Sequence, residues 1–302
     1  MWRGSRGDIR RNCALGEIDR LERLTGNATW KGRVPAARRR QLCGNRSTST
    51  SVQPDSFCHL EAARSAYAVR LASSAQDVRA AQRLRFLVFN VELGEGCERS
   101  YHACRDEDVF DTVCDHLLVE WKGEVVGTYR MQSKCSEECG SYCGREFDFS
   151  PFELMRGEIV EVGRACIARG HRNGIVLRLL WRGIAAYARG RECRYLMGCT
   201  SLRSQDEAEG LALHALLVKR HLAPIPWRTK PQPAYACALR SCSLTPPRLP
   251  KLLSAYLALG ARICAPPAID RDFKTIDFLT HLDLDSIAVG TKQFLTRGVQ
   301  LK

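Results

Sequence analysis

The sequence predicts a mixed α/β fold of the α+β class, in which a central mixed sheet is flanked by helices. Stretches with the two-residue period of strands are interspersed with stretches that have the period of helices. Two consecutive strands are joined by a tight turn at Lys122–Gly123, which favours antiparallel pairing over a doubly wound parallel sheet. The order of elements contains no internal repeat.

Each element is justified by its local pattern, beginning at Tyr67. Residues 75–93 have apolar residues at helical spacing with Asp77 in the first turn, and residues 174–191 form an amphipathic helix. Strands are predicted at 67–73, 116–123, 124–132, EIVEVGRACI and 194–202, with one or two more in FKTIDFLTHLDL. Further helices are predicted at FSPFELMRG, which is short, from Asp206 onward, and in LPKLLSAYLALGARI. A proline-rich segment at 224–250 breaks the pattern.

Charge divides the 302-residue chain into a basic N-terminal extension, residues 1–60, and a folded domain, residues 61–302. Residues 1–50 contain twelve Arg or Lys against four Asp or Glu, so +8 of the net charge of +13 lies there. This segment has little apolar periodicity, and two origins stay open: a disordered tail or a start codon assigned too far upstream. Nucleic-acid binding is therefore only weakly indicated.

Composition also limits the location and the metal chemistry. No apolar run approaches the roughly 18 residues of a membrane-spanning helix, so we expect a cytoplasmic protein, at most peripheral at the inner face of the membrane. Fifteen cysteines without a secretory signal predict reduced thiols. The cluster Cys135, Cys139 and Cys143 does not have the spacing of an iron–sulfur or zinc site, and we expect no metal.

The strand EIVEVGRACI is the most informative segment, because it is apolar and yet carries Glu161 and Arg164. A buried charge costs several kcal/mol, about 3–5, unless it is paired or functional. Residues three apart on a strand face opposite sides, so both side chains can reach one site only if the strand bulges or bends. A structural ion pair is the alternative.

Nine segments occur in the order expected of one family. They are RFLVF, DEDVFD, VGTYRMQ, REFDFSPF, EVGRACI, LWRGIAAYA, YLMGCTSL, YLALGARI and PPAIDRDFKTIDF. Together they resemble the bacterial ornithine lipid N-acyltransferases of the GNAT superfamily, with acyl-homoserine-lactone synthases as more distant relatives. The resemblance covers about residues 67–290 and implies a GNAT-like acyltransferase fold.

The resemblance implies transfer of a long, 3-hydroxylated acyl chain from acyl carrier protein to the α-amine of L-ornithine, which gives lyso-ornithine lipid. The loop RGHRNGIV departs from the glycine-rich loop that binds the CoA pyrophosphate in acetyl-CoA enzymes. We therefore expect acyl carrier protein as donor and no further cofactor. No His is followed five positions later by Asp, so the ester-forming reaction of a related acyltransferase is not expected.

Candidate site residues follow from the chemistry of amide formation, in which the amine loses a proton and an oxyanion is stabilised. We expect Glu161 to orient or deprotonate the amine, and Arg130 and Arg164 to bind anionic groups of the reactants. The resemblance assigns substrate binding to Arg85, Phe89, Asp106, Asp108 and Asp111. Of these, Asp108 and Asp111 are our sequence-based candidates for the δ-ammonium of ornithine.

Two further surfaces are expected from the sequence. Arg169, Arg172 and Arg178, near the entry of the 174–191 helix, are candidates for binding the acidic carrier protein. Trp181 and Tyr256 are candidate walls of an acyl tunnel. Three alternatives remain open: an N-acyl amino acid synthase for another amine, a lactone-signal synthase, and, in a different class, a basic nucleic-acid-binding protein.

Overall fold

The computed structural model describes residues 66–133, 140–238 and 246–296. The expected extension 1–60 lies outside the described residues, as do Cys135 and Cys139 of the cysteine cluster. No helix among the described residues is long and apolar enough to cross a membrane. The chain divides into two units between Tyr67 and Ala68, and every element after β1 belongs to the second unit.

The fold is a large mixed sheet flanked by helices, which confirms the predicted fold class. The strands are β1 (Tyr67–Leu71), β2 (Asp115–Trp121), β3 (Glu124–Gln132), β4 (Ile159–Ile167), β5 (Tyr195–Leu202), β6 (Arg262–Ile263), β7 (Ala268–Asp270) and β8 (Thr275–Asp283). The helices are α1 (Ala75–Phe86), α2 (Ser100–Ala103), α3 (Ile175–Gly190), α4 (Glu207–His221), α5 (Lys251–Ala258) and α6 (Val289–Thr296).

The strand order is β1-β2-β3-β4-β5-β8-β6, and β7 also pairs with β8. The β4–β5 pair is parallel, whereas β2–β3, β3–β4 and β5–β8 are antiparallel. Parallel pairing requires a long crossover, and α3 supplies it between β4 and β5. The sheet is therefore mixed because helix α3 connects the neighbouring strands β4 and β5 and lets them run parallel.

Cross-strand partners share a face of the sheet, which assigns its residues to two sides. By register Glu161, Met197 and Asp277 lie on one face, which we call the site face. Helix α1 covers part of it, with Leu84 packed near Cys166. The opposite face packs against α3, α4 and α5. The charged residues on the site face are thus enclosed between sheet, helix and loops.

Some elements differ from the sequence prediction in detail. The helix expected over 75–93 is α-helical to Phe86 and continues as a π-helix over Leu87–Glu92. The short helix expected at FSPFELMRG is a 3-10 helix, Ser150–Glu158. Helix α6 was not predicted, because its eight residues follow the last strand without a strong apolar period. The helix expected at Asp206 is α4, whose first turn Asp206 caps by accepting a hydrogen bond from the Ala208 amide.

Candidate active site

A buried group of three arginines and three aspartates lies on the site face. We call it the paired-charge network, and its members are Arg85, Asp106, Asp108, Asp111, Arg130 and Arg164. Their formal charges cancel. Six of the eleven residues that sequence reasoning assigned to the site are therefore in one contiguous cluster.

Arg85, on α1, joins the two ends of the acidic segment. Its guanidinium lies 2.9 Å from the Asp106 carboxylate and 2.6 Å from the Asp111 carboxylate, and only 1% of its surface is exposed. Gln82, one turn earlier on α1, donates a further hydrogen bond of 3.0 Å to Asp111. Because the helical spacing places Gln82 and Arg85 on one side, α1 fixes this segment against the sheet.

The acidic segment is ordered by its own backbone as well. Asp108 caps a 3-10 helix, Val109–Thr112, by accepting a 3.0 Å hydrogen bond from the Phe110 amide. Asp111 accepts a bond of 3.3 Å from the Asp108 amide, which completes a capping box. These carboxylates therefore have structural partners in the free protein, in addition to the arginines.

Arg130 and Arg164 complete the network from the sheet. Arg130 on β3 lies 2.6 Å from Asp108 and 3.0 Å from Asp111. Arg164 on β4 makes longer contacts, 3.3 Å to Asp108 and 3.6 Å to Asp106. Both guanidinium groups lie over the ring of Tyr142, at 4.8 and 5.3 Å from its centroid. Arg164 is thus the more loosely held of the two cations.

The arginines keep Asp108 and Asp111 ionised. Burial by itself raises the pKa of Asp111, but the charge and hydrogen bonds of Arg85 outweigh it and the pKa is lowered. For Asp108 burial is again opposed by Arg130 and Arg164, and its pKa is lowered as well. Burial, reinforced by Arg85, lowers the pKa of His116 beside them. The network therefore contains ionised carboxylates already matched by cations.

Strand β4 contains the bulge that the spacing of Glu161 and Arg164 requires. Thr128 on β3 pairs with Cys166, whereas Arg130 pairs with Gly163, so β4 has one extra residue between these positions. Arg164 adopts the left-handed conformation there, with φ of 53°. The bulge puts the Arg164 side chain on the site face together with Glu161, where it meets Asp108.

Glu161 is buried in a small cavity with Arg130, Tyr142 and Cys143 among its walls. Its carboxylate accepts hydrogen bonds from the Ser141 hydroxyl and from the Cys143 amide at 3.2 Å. It also lies 3.2 Å from the Arg156 guanidinium. Glu161 and Arg164 thus do not pair with each other: Glu161 holds the segment that carries Tyr142, and Arg164 belongs to the paired-charge network.

The other predicted site residues lie elsewhere. Phe89 is buried and its ring packs edge-on against Phe273, with centroids 5.3 Å apart. Arg172 forms a two-pronged contact of 2.6 and 2.8 Å with Glu92. Arg169 and Arg178 are exposed beside it, at the entry of α3. The cationic surface proposed for the carrier protein is therefore separate from the buried charges.

Trp181 and Tyr256 line a shared apolar cavity on the face opposite the site face. Their rings are 5.6 Å apart, and the Tyr256 hydroxyl lies 2.7 Å from that of Tyr129 on β3. The other walls come from α3, β5, β8 and α6, and include Ile184, Leu196, Leu282 and Leu295. The two predicted wall residues are thus brought together, and the cavity around them is lined by apolar side chains.

Strands β4 and β5 separate at the site. Their pairing covers only Ile159 to Glu161 on β4, although β4 continues to Ile167 and β5 to Leu202. Gly198 follows the last pair, and a side chain there would meet the Val162 carbonyl oxygen at 2.2 Å. Gly198 therefore lets β5 lie close to the β4 backbone at Val162, where the pairing of the two strands ends. Beyond it the site face presents Arg164 on β4 and, across the gap, the paired strands β5 and β8.

Sequence reasoning missed a second group of acidic side chains, which lies on the β8 side of this gap. We call it the carboxylate cluster, and its members are Glu146, Asp270 and Asp277, whose oxygens come within 4.8 Å of one another. Burial and the neighbouring carboxylates raise the pKa of Glu146 and of Asp277. The signal was available, because Asp277 interrupts an apolar strand in the same way as Glu161 does.

Comparison with known proteins agrees with this architecture. A family profile described as an acetyltransferase (GNAT) domain matches residues 84–182. The L-ornithine N(alpha)-acyltransferase of Rhodobacter capsulatus is 33% identical over 256 residues, covering 80% of this chain and 99% of the relative. That of Brucella abortus is 32% identical over 247 residues, covering 73% and 85%.

Solved structures show more distant likeness. An N-acyl amino acid synthase from uncultured soil microbes has 11% identity and a TM-score of 0.46, covering 73% of this chain and 93% of the other. A CoA-dependent acyl-homoserine lactone synthase has 15% identity and a TM-score of 0.44, covering 76% and 87%.

The fold and the sequence relatives define an acyltransferase with a GNAT domain. This class was the prediction from the motifs, and it replaces the nucleic-acid-binding alternative. Within it, the chain belongs to the L-ornithine N(alpha)-acyltransferase family, since the similarity extends over nearly the whole length of the Rhodobacter relative.

Proposed function

We propose that this protein acylates the α-amine of L-ornithine with a long, 3-hydroxylated fatty acyl chain from acyl carrier protein. The observation that carries the proposal is the 33% identity to an L-ornithine N(alpha)-acyltransferase over 99% of that relative. In the reaction the amine nitrogen attacks the thioester carbonyl, the C–N bond forms and the C–S bond breaks. The carrier thiol leaves with the proton that the amine loses, and the product is lyso-ornithine lipid.

We assign the proton transfer to Glu161, directly or through a water molecule, and the binding of anionic groups to Arg164 and Arg130. Glu161 is supported by its place in the cavity beside Tyr142 and Arg130. Arg164 is supported by its long contacts, which leave a guanidinium able to bind a carboxylate in addition to its present neighbours. Arg85 and the three aspartates then act by holding these arginines in place.

The acyl chain and its carrier occupy two further surfaces in this proposal. Trp181 and Tyr256 contact the acyl chain, whose burial contributes about 0.8 kcal/mol per methylene, and the cavity between them, about 20 Å³ in the free protein, widens to admit it. The exposed Arg169 and Arg178 bind the acidic carrier protein. No cofactor takes part besides the acyl donor. We propose a cytoplasmic protein that works at the inner membrane face, where the product inserts.

The experiment uses the purified full-length chain with L-ornithine and a 3-hydroxyacyl carrier protein as donor. We expect a product with the mass of the ornithine amide, formed in equal amount with free carrier thiol. Parallel reactions replace the donor by the matching acyl-CoA, and the acceptor by glycine. Acylation of glycine but not of ornithine would contradict the proposed acceptor, and equal use of acyl-CoA would contradict the proposed donor.

A further inference from the structure

The carboxylate cluster is buried without a matching cation. Glu146 and Asp277 are 3% and 4% exposed, and Asp270 is half-buried at the edge of the group. In the described part of the chain no Lys, Arg or His forms an ion pair with any of the three. Buried carboxylates are normally paired, so the group is incomplete by itself.

Unpartnered polar atoms point to what is missing. No N–H group of the described residues donates to Glu146 Oε2 or Asp277 Oδ1; the two carboxyl groups hydrogen-bond each other when one is protonated, and the Ser201 hydroxyl also bonds to Asp277. The hydroxyl of Thr275, a side chain with 0% exposure, is likewise without a partner of normal geometry, and it lies beside the Asp277 carboxylate. Two acceptors and one hydroxyl, all buried, thus lack the donor that a ligand with several N–H groups would supply.

The paired-charge network is unsuited to bind another cation. Asp111 is engaged by Arg85, Gln82 and Arg130, and Asp108 by the guanidinium groups of Arg130 and Arg164. A second cation would lie beside three arginines and be repelled by them. The side-chain ammonium that sequence reasoning gave to Asp108 and Asp111 therefore needs a different binding site.

The position of the cluster selects the ammonium of the acceptor as its ligand. Asp277 lies on the site face of β8, where β8 pairs with β5, on the other side of the β4–β5 separation from Arg164. The positive charge of Arg164 partly offsets the raised pKa of Glu146, and the Tyr142 hydroxyl interacts electrostatically with both Arg164 and Glu146. An amino acid with its carboxylate at Arg164 can direct a side-chain cation toward the cluster.

We propose that Glu146, Asp270 and Asp277 bind the side-chain ammonium of the acceptor amino acid and so select ornithine over neutral amino acids. The inference rests on the proposed function, which supplies an acceptor with a second amine. A site built to pair a buried charge rejects an analogue that lacks the partner, because its own charges are then left uncompensated. These residues determine specificity and take no part in the chemical step.

The test compares L-ornithine with L-norvaline, which has the same carbon chain without the δ-amine. Values of kcat/KM for both acceptors are measured with one acyl carrier donor for the wild type, Glu146→Gln and Asp277→Asn. Glu153→Gln, an exposed Glu outside the site, is the matched control. We expect the ornithine-to-norvaline ratio to fall roughly tenfold to a hundredfold in both cluster variants and to stay unchanged in the control.

Calorimetric titration with ornithine and norvaline gives a second readout that does not depend on turnover. If the wild type binds ornithine tightly without acylating it, the proposed function is wrong while the binding comparison still tests the cluster. An unchanged ratio and unchanged binding preference in folded Glu146→Gln and Asp277→Asn would overturn the inference. So would a requirement for Mg²⁺ or Ca²⁺ that both variants abolish, because the carboxylates would then hold a metal ion.

Discussion

The paired-charge network and the carboxylate cluster lie on the same face of one sheet, and both are buried and rich in acidic residues. The first has three arginines for three aspartates, with contacts as short as 2.6 Å. The second has three carboxylates that pair with no cation among the described residues. Their pKa values shift in opposite directions: burial raises both, but the charge and hydrogen bonds of Arg85 outweigh it for Asp111, whose pKa is lowered, whereas the pKa of Asp277 stays raised.

This difference separates structure from recognition. A charge group that is complete in the free protein orders its surroundings, as Arg85 does by joining α1 to the acidic segment. A group that is incomplete stores an unfavourable interaction that only a ligand of the right charge relieves. Acidic residues in a sequence motif are therefore poor guides to a binding site until their partners are known.

The largest expected effect is on stability and concerns the network. Arg85→Met leaves Asp106 and Asp111 buried without their main partner, and removing one side of a buried ion pair costs about 3–5 kcal/mol. Urea unfolding measures the change. Arg191→Met is the matched control, because the Arg191–Asp115 pair is exposed and such pairs contribute about 0–1 kcal/mol. Equal losses of unfolding free energy in the two variants would show that the buried pairs of Arg85 contribute no more than an exposed pair.

Glu161→Gln tests the proposed proton transfer, at a residue that belongs to neither of the two charged groups. The substitution keeps the size of the side chain and removes the carboxylate, so turnover should fall roughly a hundredfold if Glu161 takes the amine proton. Folding should persist with some loss of stability, because an amide oxygen still accepts from Ser141 or Cys143 while the 3.2 Å ion pair with Arg156 is lost. The free energy of unfolding is measured beside kcat. A variant that folds and retains the wild-type rate at neutral pH would rule out this role.

The two regions should also give opposite dependences of stability on pH. Asp108 and Asp111 have lowered pKa values, so their contribution is full above the unfolded value of about 4 and is lost as pH falls below it. Glu146 and Asp277 have raised pKa values, so stability declines as pH rises from about 4 through those values. The folded state binds more protons there than the unfolded state.

The double variant Glu146→Gln with Asp277→Asn should therefore weaken the decline above pH 4 and leave the acid limb intact. Some decline should remain, because burial also raises the pKa of Glu95, to about 7, against the opposing effect of Arg203. Urea unfolding between pH 3 and 9 gives both limbs, and Glu153→Gln serves as control. An unaltered decline in the double variant would show that Glu146 and Asp277 do not have raised pKa values in the folded protein.

The smallest effect concerns the donor surface, where the charges are exposed. Arg169→Gln with Arg178→Gln should lower kcat/KM for the acyl carrier donor several-fold at low salt and little at high salt, because screening removes such contributions. Arg172→Gln should do less, since Arg172 is already bound to Glu92. The same loss of kcat/KM at every ionic strength would show that the effect does not arise from the exposed charges.

Much of the fold was predictable, because it depends on local periodicity. The strand pair around Lys122–Gly123 and the amphipathic helix α3 both occur where their patterns place them. The bulge at Arg164 was the condition under which two charges three residues apart on an apolar strand could reach one site, and a structural ion pair was the alternative. Helix α6 was missed because its short sequence has little pattern of its own.

The site was less predictable, because pairing is a property of three-dimensional neighbours. The motifs identified Asp108 and Arg130 as important, but only the fold shows that they bind each other at 2.6 Å. Glu146 and Asp277 are 131 positions apart in a chain where either looks ordinary. Their convergence depends on the pairing of β8 with β5 and on the loop that carries Glu146.

The most direct test of the central claim is a carboxyl-carbon NMR titration of Glu146 and Asp277 in the free protein and with saturating ornithine or norvaline. Resonances are assigned by the Gln and Asn variants. We expect both pKa values to lie above the ordinary range in the free protein, to fall when ornithine binds, and to stay raised with norvaline. Ordinary pKa values in the free protein, or equal responses to the two amino acids, would contradict the account.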